Sequence, residues 1–283
     1  MHIAIIHHAD DEASAADNNY VLWAMADRWR ADGQQVDLVF GPKNPGADVA
    51  IIHVDRTVVG REYFRAAARS PVVLNSAARD ISKRSRSTGL VRRGDGWNGP
   101  VIVKTSRNAG GIPEIRHRPR VRAFQKWRAE RGGLGSASWM YSANYAVFPS
   151  SSEMPKRVFG NRKLIVERFL PERDGDLYCV RYFKFFGDRY VSALLKGDGP
   201  IVKRSVVLSS EDVPPPREVL AMKKDIGFEY GKLDFVMHDA KPFVFDVNRT
   251  PGMSTEAEEE RQRQADILAP GLYEILESRM AHH

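Results

Sequence analysis

Two aspartates and an asparagine share one face of a predicted β-hairpin, and their chemistry suits a metal ion. Residues 232–254 read KLDFVMHDAKPFVFDVNRTPGMS, which predicts two strands joined by a turn at residues 238–241. Side chains alternate between the two faces of a strand, so Asp234, Asp246 and Asn248 lie opposite the apolar side chains. Two carboxylates and a carboxamide oxygen form a hard oxygen site of the kind that Mg²⁺ prefers. The pattern therefore favours a metal site over an exposed polar face.

The pairing of this hairpin decides how close the carboxylates lie. With Met237 opposite Phe243, the register places Asp234 opposite Asp246, where Cβ atoms are about 5 Å apart. Like charges at this distance destabilise a sheet, and a bound cation removes that cost. We expect the other face to be an apolar core surface, formed by Leu233, Phe235, Met237, Phe243, Phe245 and Val247.

A lysine at the end of an apolar strand is the second chemical signal. The predicted strand PVIVK ends at Lys104, and the loop TSRNAGG follows at residues 105–111. Backbone N–H groups of such a loop can surround phosphate oxygens, while the lysine adds a point charge. The sequence contains no GxxxxGK[ST], GxGxxG, HExxH or paired CxxC. P-loop, dinucleotide-binding and zinc sites therefore lose support.

Strands that alternate with helices in the first third of the chain indicate a parallel sheet. The predicted strands are His2–His7, Val36–Phe40, Asp48–Val54 and Val72–Leu74. Between the first two, a predicted helix has Leu22, Met25 and Trp29 on one stripe and ends at Gly33. His7, His8, Asp10 and Asp11 follow the first strand, at the edge where open sheets bind ligands, although an ordinary polar loop is the preferred interpretation.

The later part of the chain predicts antiparallel strands with few helices. These strands are Leu164–Phe169, Cys179–Phe186 and Tyr190–Leu195, followed by the hairpin. Residues 76–98, rich in Arg, Ser and Gly, indicate a linker with a short helix. The fold class is therefore α/β, changing to α+β in the second part, with a boundary near residues 75–100.

Length and composition predict a globular protein of the reducing cytoplasm. The 283 residues are 42% hydrophobic, which suffices for one large core or several small ones. Cys179 is the single cysteine, so no intrachain disulfide can form. The N-terminal apolar run is too short for a signal peptide, and no stretch approaches the roughly 20 apolar residues of a membrane span. We therefore expect no membrane partner.

The net charge of +7 is concentrated in the segment RHRPRVRAFQKWRAER at residues 116–131. Such a segment attracts anions, and a solvated basic face is an equally good interpretation. Its only aromatic residues are Phe124 and Trp127, and Pro119 interrupts it. These features argue against sequence-specific binding of nucleic acid. Holding an anionic substrate or tail is the better use.

Three stretches in a fixed order resemble the ATP-grasp superfamily. They are VIVKTSRNAGG, LIVERFLPE and GKLDFV…FVFDVNRTPGM, within residues 70–260. They are nearest to the branch that contains glutathione synthetases and ribosomal-protein glutamate ligases. The resemblance implies an ATP-grasp fold with an N-terminal Rossmann-like parallel-sheet domain and two α+β lobes that clasp ATP. The implied domains are residues 1–75, 76–166 and 167–283.

The resemblance also implies phosphate-binding residues by position. Lys104 matches the lysine that holds the α- and β-phosphates. Lys83 lies roughly where an earlier phosphate-binding lysine is expected, although Arg84 or Arg86 could fill that place. The mobile loop over the phosphates would contain Asn108, Gly110 and Gly111.

The other implied site residues bind adenine, ribose and metal, or line the transferred phosphoryl group. The adenine segment would be Glu167, Arg168, Phe169 and Leu170. The ribose hydroxyls would meet Asp176. The metal ligands for Mg²⁺ or Mn²⁺ would be Asp234, Asp246 and Asn248. The cations of the catalytic step would be Arg181, Lys196 and Lys203.

The sequence departs from the family pattern in several places. Asp246 stands where the central metal ligand is usually Glu, and the shorter side chain could shift the metal or need a bridging water. Lys196 stands where close relatives often have Arg, which loses bidentate phosphate contacts. The basic residues 115–131 have no counterpart in the family, and the N-terminal third matches only in general pattern.

The resemblance implies an ATP-dependent ligase that joins a carboxylate to an amine through an acylphosphate. Its cofactors would be ATP and a divalent cation, and its substrates would be small molecules or peptides, one of which could be anionic. A homodimer is common among similar enzymes. Two alternatives stay open: an ATP-grasp kinase acting on a small molecule or saccharide, and a basic protein that binds polyanions.

Overall fold

The computed structural model describes residues 1–17, 19–141, 144–202, 207–253 and 257–281, which form three sheets. The first sheet is parallel, with the strand order β2-β1-β3-β4. Its strands are β1 (His2–His7), β2 (Gln35–Phe40), β3 (Val49–Ile52) and β4 (Val72–Leu74). A 3₁₀ segment (Ala9–Asp17) follows β1, and the helices are α1 (Val21–Ala31) and α2 (Arg61–Ala67). The strands alternate with helices, which confirms the predicted parallel sheet.

The second sheet is antiparallel and has the order β6-β5-β7. Its strands are β5 (Val101–Thr105), β6 (Ala146–Phe148) and β7 (Leu164–Arg168). Between β4 and β7 the chain also forms the helices α3 (Lys83–Arg86), α4 (Ile112–Ile115) and α5 (Pro119–Gly132), with 3₁₀ turns at Asn108–Gly111 and Leu134–Ser136. The domain boundary expected between residues 166 and 167 falls inside β7, and the division into domains stays a prediction.

The third sheet is antiparallel, with the order β11-β10-β9-β12-β13 and β8 paired to β9. Its strands are β8 (Glu172–Asp174), β9 (Leu177–Phe186), β10 (Arg189–Gly197), β11 (Val207–Asp212), β12 (Tyr230–His238) and β13 (Lys241–Asn248). The last helices are α6 (Arg217–Ile226), α7 (Glu258–Leu268) and α8 (Gly271–Met280). The chain is thus α/β at its start and α+β later, as the sequence predicts.

Two cores fix the third sheet in place. On one face, Phe183, Phe185, Leu233 and Phe235 pack with α6 in an apolar cluster. The C-terminal helices pack instead against α1, where the indole N–H of Trp29 donates to the carbonyl oxygen of Ala269 at 2.9 Å. The helices after the hairpin therefore tie the third sheet to the first.

Two histidines are buried at the end of the first sheet. His7 exposes 1% of its surface and His53 exposes none. The indole N–H of Trp23 donates to Nε2 of His7 at 3.1 Å, so this nitrogen carries no proton. Burial lowers the pKa of His7 to about 3. Burial also lowers the pKa of His53 well below its ordinary value. Both rings are therefore neutral at physiological pH.

This burial predicts a loss of stability in mild acid. The unfolded chain binds a proton at His7 below about pH 6.5, whereas the folded chain binds one only near pH 3, so stability falls between these values. At pH 5 this difference in proton binding at His7 lowers the free energy of unfolding by about 2 kcal/mol. Between pH 7.5 and pH 5 the free energy of unfolding in urea should fall by about 2 kcal/mol less in His7→Gln than in the wild type. His238→Gln, at the hairpin end, should follow the wild type. Equal slopes for His7→Gln and the wild type would contradict the assignment.

Among the described helices, none combines the length and the apolar character that crossing a membrane would require.

Candidate functional site

A cavity of about 1160 Å³ lies between the second and third sheets. The second sheet contributes Ile102, Lys104 and Glu167, and the 3₁₀ turn after β5 contributes Ala109 and Gly110. The third sheet contributes Tyr182, Lys184, Lys232, Asp234, Phe245 and Asp246. From α7 come Glu260, Arg263 and Gln264. Segments that are distant in sequence thus line one cavity, whose wall contains both apolar and charged side chains.

Asp234 pairs with Asp246 across the hairpin, as predicted. The strands turn at Asp239 and Ala240, whose φ angles of 48° and 59° match a two-residue hairpin turn. The predicted pairing of Met237 with Phe243 is wrong, because Phe243 lies opposite Val236. A β-bulge between the turn and the aspartates restores the register that brings the two carboxylates together.

The bulge also changes which aromatic residues are in the core. Val244 is buried in the core under α6. Without the bulge, strand alternation would place Phe243 and Phe245 there instead. Phe245 lines the cavity instead, and Phe243 is half-buried beside the ring of His238. The expectation that Phe243 and Phe245 are core residues is therefore wrong, because one extra residue in a strand reverses the faces beyond it.

Each of the facing carboxylates is paired with a lysine. Nζ of Lys83 lies 2.7 Å from Oδ1 of Asp246, and Nζ of Lys232 lies 2.9 Å from Oδ2 of Asp234. Burial alone would lower the pKa of Lys83, but the charge of Asp246 raises it above its ordinary value. Burial raises the pKa of Asp234; Lys232 opposes this and Asp246 adds to it. The hairpin thus gathers negative charge that nearby cations balance.

Lys104 and Glu167 form a buried ion pair on adjacent strands of the second sheet. Nζ of Lys104 also lies 4.8 Å from the ring centroid of Phe245, which joins the second sheet to the hairpin. A phosphate group entering the cavity would compete with Glu167 for this ammonium group.

The glycine loop after β5 has a left-handed backbone. The φ angles are 43° at Ala109, 71° at Gly110 and 84° at Gly111. A side chain at Gly110 would collide with the carbonyl oxygen of Met140. The backbone N–H of Met140 also donates to the carbonyl oxygen of Gly110 at 2.9 Å. The sequence therefore needs glycine at this close approach.

Asn108 connects the glycine loop to two other parts of the chain. Its backbone N–H donates to Oγ1 of Thr57 at 2.9 Å, and its side-chain amide donates to Oδ1 of Asn248 at 3.4 Å. The loop therefore contacts both the segment after β3 and the end of the hairpin.

The segment after β7 forms an apolar edge of the cavity. Phe169 and Leu170 line it together with Ile102. The guanidinium group of Arg168 lies 4.8 Å from the ring centroid of Trp97, and the N–H of Phe169 donates to the Pro100 carbonyl at 2.9 Å. The segment is thus held from both sides.

Comparison with solved structures shows what this arrangement resembles. The D-alanine–D-alanine ligase of Bacillus anthracis matches over 100% of both chains, with a TM-score of 0.51 and 13% sequence identity, and so does its complex with ATP. The chain has the ATP-grasp fold. A RimK domain ATP-grasp protein of Sphaerobacter thermophilus matches 95% of this chain and 99% of its own, with a TM-score of 0.48 and 13% identity. No protein-family model and no curated protein sequence matches the chain.

Two of the expected catalytic cations lie away from the cavity. Arg181 lies on the same strand face as Phe183 and binds Glu172 at 2.7 Å. Lys196 binds Asp174 at 2.6 Å, and neither cation lines the cavity. Alternation along β9 and β10 turns both side chains to the face opposite the cavity, so the structure does not bring them to its wall, and their catalytic role stays a prediction.

Two further expected residues cannot be placed at the cavity. Asp176 is exposed in the turn between β8 and β9, outside the cavity lining. Lys203 lies outside the described residues.

Lys184 is a cavity residue that the sequence interpretation missed. It is 3% exposed and binds the side-chain oxygen of Gln264 on α7. The signal was present, because Phe183 and Phe185 are core residues and the residue between them must face the other way. The sequence interpretation also missed Lys232. It lies two residues before Asp234 on β12, so both side chains face the cavity.

The polar residues after β1 lie outside the cavity lining. The guanidinium group of Arg56 binds Oδ1 of Asp11 at 3.2 Å and Nδ1 of His8 at 3.0 Å. It also reaches Oδ2 of Asp10 at 3.4 Å. This network agrees with the preferred interpretation of a polar loop.

The donor set of the β12–β13 hairpin fits a divalent cation at two of the three expected ligands. Asp234 and Asp246 both line the cavity with hard oxygen atoms. Oδ1 of Asn248 instead accepts the backbone N–H of Thr250 at 2.8 Å, and Asn248 is not part of the lining. Within the described ranges, no group of three or more His, Cys, Asp and Glu side chains is placed to hold a metal. The fit is therefore to a cation that keeps waters or phosphate oxygens as its other ligands.

Proposed function

We propose that this protein is an ATP-dependent ligase that joins a carboxylate to an amine. The proposal rests on the cavity wall, where buried Lys83 and Lys104 stand beside the facing carboxylates of Asp234 and Asp246. Cations for phosphate oxygens and hard acids for a metal are what a phosphoryl transfer needs in one place. The fold supports this, because the matching D-alanine–D-alanine ligase is a ligase that also has an ATP complex.

ATP would bind along the cavity with its base at the apolar edge and its phosphates at the lysines. Ile102, Phe169 and Leu170 present apolar surface for adenine. Lys104 would leave Glu167 for the phosphates, and Lys83 would share its charge between Asp246 and a phosphate oxygen. The glycine loop would cover the phosphates and exclude water.

The proposed reaction has two steps. A carboxylate oxygen of the substrate attacks the γ-phosphorus, the bond to the β–γ bridging oxygen breaks, and ADP leaves. The amine nitrogen then attacks the acyl carbon of the acylphosphate, the bond to the phosphate oxygen breaks, and phosphate and a proton leave. Mg²⁺ or Mn²⁺ held by Asp234 and Asp246 would supply neutralisation of phosphate charge.

The side chains of the third sheet suggest where the substrates lie. Lys184 places a buried ammonium group in the cavity wall near α7 and away from the second sheet, and Arg263 beside it is paired with Glu260 at 2.6 Å. We place the carboxylate substrate, a small molecule or a peptide, on this side. The cytoplasm, where ATP is abundant and Cys179 stays reduced, is the proposed location.

The test combines a thermal melt with chemical trapping. With Mg·ATP at a hundred times its dissociation constant, the wild type should be stabilised by about 2.7 kcal/mol, and with ATP plus EDTA by much less. With a carboxylate substrate and hydroxylamine in place of the amine, ADP release should be accompanied by a hydroxamate. A phosphorylated product that hydroxylamine does not cleave would indicate a kinase instead. Absence of any shift with nucleotide would contradict the proposal.

A further inference from the structure

Neither the fold nor the proposed reaction accounts for helix α5. Apart from Gln125, every residue of α5 whose burial is described is exposed. Val121, Phe124 and Trp127 leave 40%, 54% and 49% of their surfaces in solvent. A helix normally buries an apolar stripe against its own protein, and exposed clusters of large apolar side chains mark binding surfaces.

The charge of this region is as unusual as its exposure. Residues 116–131 contain seven Lys and Arg against one Glu, which gives six of the seven net positive charges of the chain. Side chains three and four positions apart share a helix face, so Arg120, Phe124, Trp127, Arg128 and Arg131 lie together. We name these five residues the outward face. In the described part of the chain, no acidic side chain forms an ion pair with Arg120 or Arg128.

The back of the helix is turned towards the protein. The guanidinium group of Arg122 donates to the hydroxyl of Tyr141 at 2.7 Å, and Lys126 lies 3.9 Å from Glu130. Behind them is a cleft of about 510 Å³ that Tyr141 also lines, together with Leu134 and Trp139. Tyr141 belongs to the lining of the large cavity as well, so α5 lies next to it.

The two aromatic rings of the outward face pack on each other, and one of them also packs against an arginine. The ring of Phe124 stacks on that of Trp127, with centroids 5.9 Å apart and an interplanar angle of 25°. The guanidinium group of Arg131 lies 5.0 Å from the centroid of Trp127. Phe124 precedes Trp127 by one turn and Arg131 follows it by one turn, so the three side chains form one strip along the outward face. The contacts among them cover part of the ring surface on which a nucleobase would stack, whereas the exposed ring edges can pack against an aliphatic side chain.

We propose that the outward face of α5 is a docking surface for an acidic peptide segment with apolar side chains among its carboxylates. Arg120, Arg128 and Arg131 supply the charge that carboxylates complement, and Phe124 and Trp127 supply the apolar contact. A second copy of this chain is disfavoured because the same basic surface would face itself. A bilayer is disfavoured because Arg122 and Lys126 place charge on the other side of the helix as well, which leaves no broad apolar face.

The experiment is fluorescence anisotropy with the full chain, without nucleotide, at physiological salt. The probes are a labelled peptide that repeats Glu-Glu-Phe-Leu, its counterpart with Gln for Glu, a single-stranded oligonucleotide, and vesicles containing phosphatidylserine. The acidic peptide should bind about tenfold more tightly than its glutamine counterpart. The double variant Arg120→Gln/Arg128→Gln should lose about tenfold in affinity for it, and Trp127→Ala should weaken it as well.

The matched control removes the same charge elsewhere. Arg61→Gln/Arg217→Gln changes the exposed first residues of α2 and α6 and should stay within about twofold of the wild type. An equal loss in this control, tighter binding of the oligonucleotide or of the vesicles, or no binding of the acidic peptide would overturn the proposal. Because nucleotide is absent, a failure here is separate from a failure of the Mg·ATP shift.

Discussion

Asp246→Asn is expected to remove magnesium-dependent nucleotide binding and to reduce ADP formation by at least about a hundredfold, or ~2.7 kcal/mol of transition-state stabilisation. The change replaces a carboxylate that faces Asp234 and lies 2.7 Å from Nζ of Lys83. It removes the negative charge of one of the two proposed carboxylate ligands, which weakens binding of a cation, and this is also the charge that raises the pKa of Lys83. Both effects weaken the site that would hold phosphates and a metal.

The same change should leave the fold intact, because two effects oppose each other. Breaking a buried ion pair costs about 3–5 kcal/mol when one charge is left without a partner. Here Lys83 keeps the carbonyl oxygen of Arg107 at 3.0 Å, and the repulsion between the two aspartates disappears. We therefore expect a net loss of only about 1–2 kcal/mol.

The measurement is the thermal shift with Mg·ATP, together with ADP release, for the wild type and two variants. Asp239→Asn is the matched control, because it makes the same chemical change in the exposed turn of the same hairpin. Its φ angle of 48° is one that asparagine tolerates. This control should keep both the shift and the ADP release. If Asp246→Asn kept them too, the hairpin would not be the metal site.

The hairpin shows how far a repeating pattern can predict a site. Alternation along two strands was sufficient to bring Asp234 opposite Asp246, because period two is a property of every regular strand. The bulge beside them has no period, so the cavity position of Phe245 could not be read from the sequence. The predicted register was right at the aspartates because the bulge compensates for a one-residue error at the turn.

The cations show the opposite lesson. The family pattern implies Arg181 and Lys196 by their order in the chain, and the structure turns both away from the cavity. The local sequence contained better information, since Lys184 between two core phenylalanines had to face the cavity. The order of motifs predicts the fold well, whereas the orientation of one side chain depends on the strand that holds it.

Contacts between distant segments are the part that no local pattern encodes. Arg249 follows the hairpin directly. It is fully buried, and its guanidinium group donates to the carbonyl oxygens of Val54, Arg56 and Ala78. The next residue, Thr250, donates its hydroxyl to Oδ1 of Asp55 at 3.1 Å. The turn after β13 is therefore joined to the chain that follows β3.

Arg249→Leu is expected to lower the free energy of unfolding by about 2–6 kcal/mol, because the carbonyl oxygens of Arg56 and Ala78 lose a buried donor at about 1–3 kcal/mol each, whereas the carbonyl of Val54 keeps the N–H of Arg56 at 2.9 Å. The total free energy of unfolding of a typical domain is only about 5–15 kcal/mol, so this loss would remove a large part of it. The free energy of unfolding of Arg249→Lys should lie between those of the wild type and Arg249→Leu, because an ammonium group can still donate to some of these oxygens. Urea unfolding gives the values, with Arg79→Leu as the control, since Arg79 is exposed beside one of the acceptors. If Arg249→Leu unfolded at the same urea concentration as Arg79→Leu, the buried guanidinium group would not be what holds the turn after β13 to the chain that follows β3.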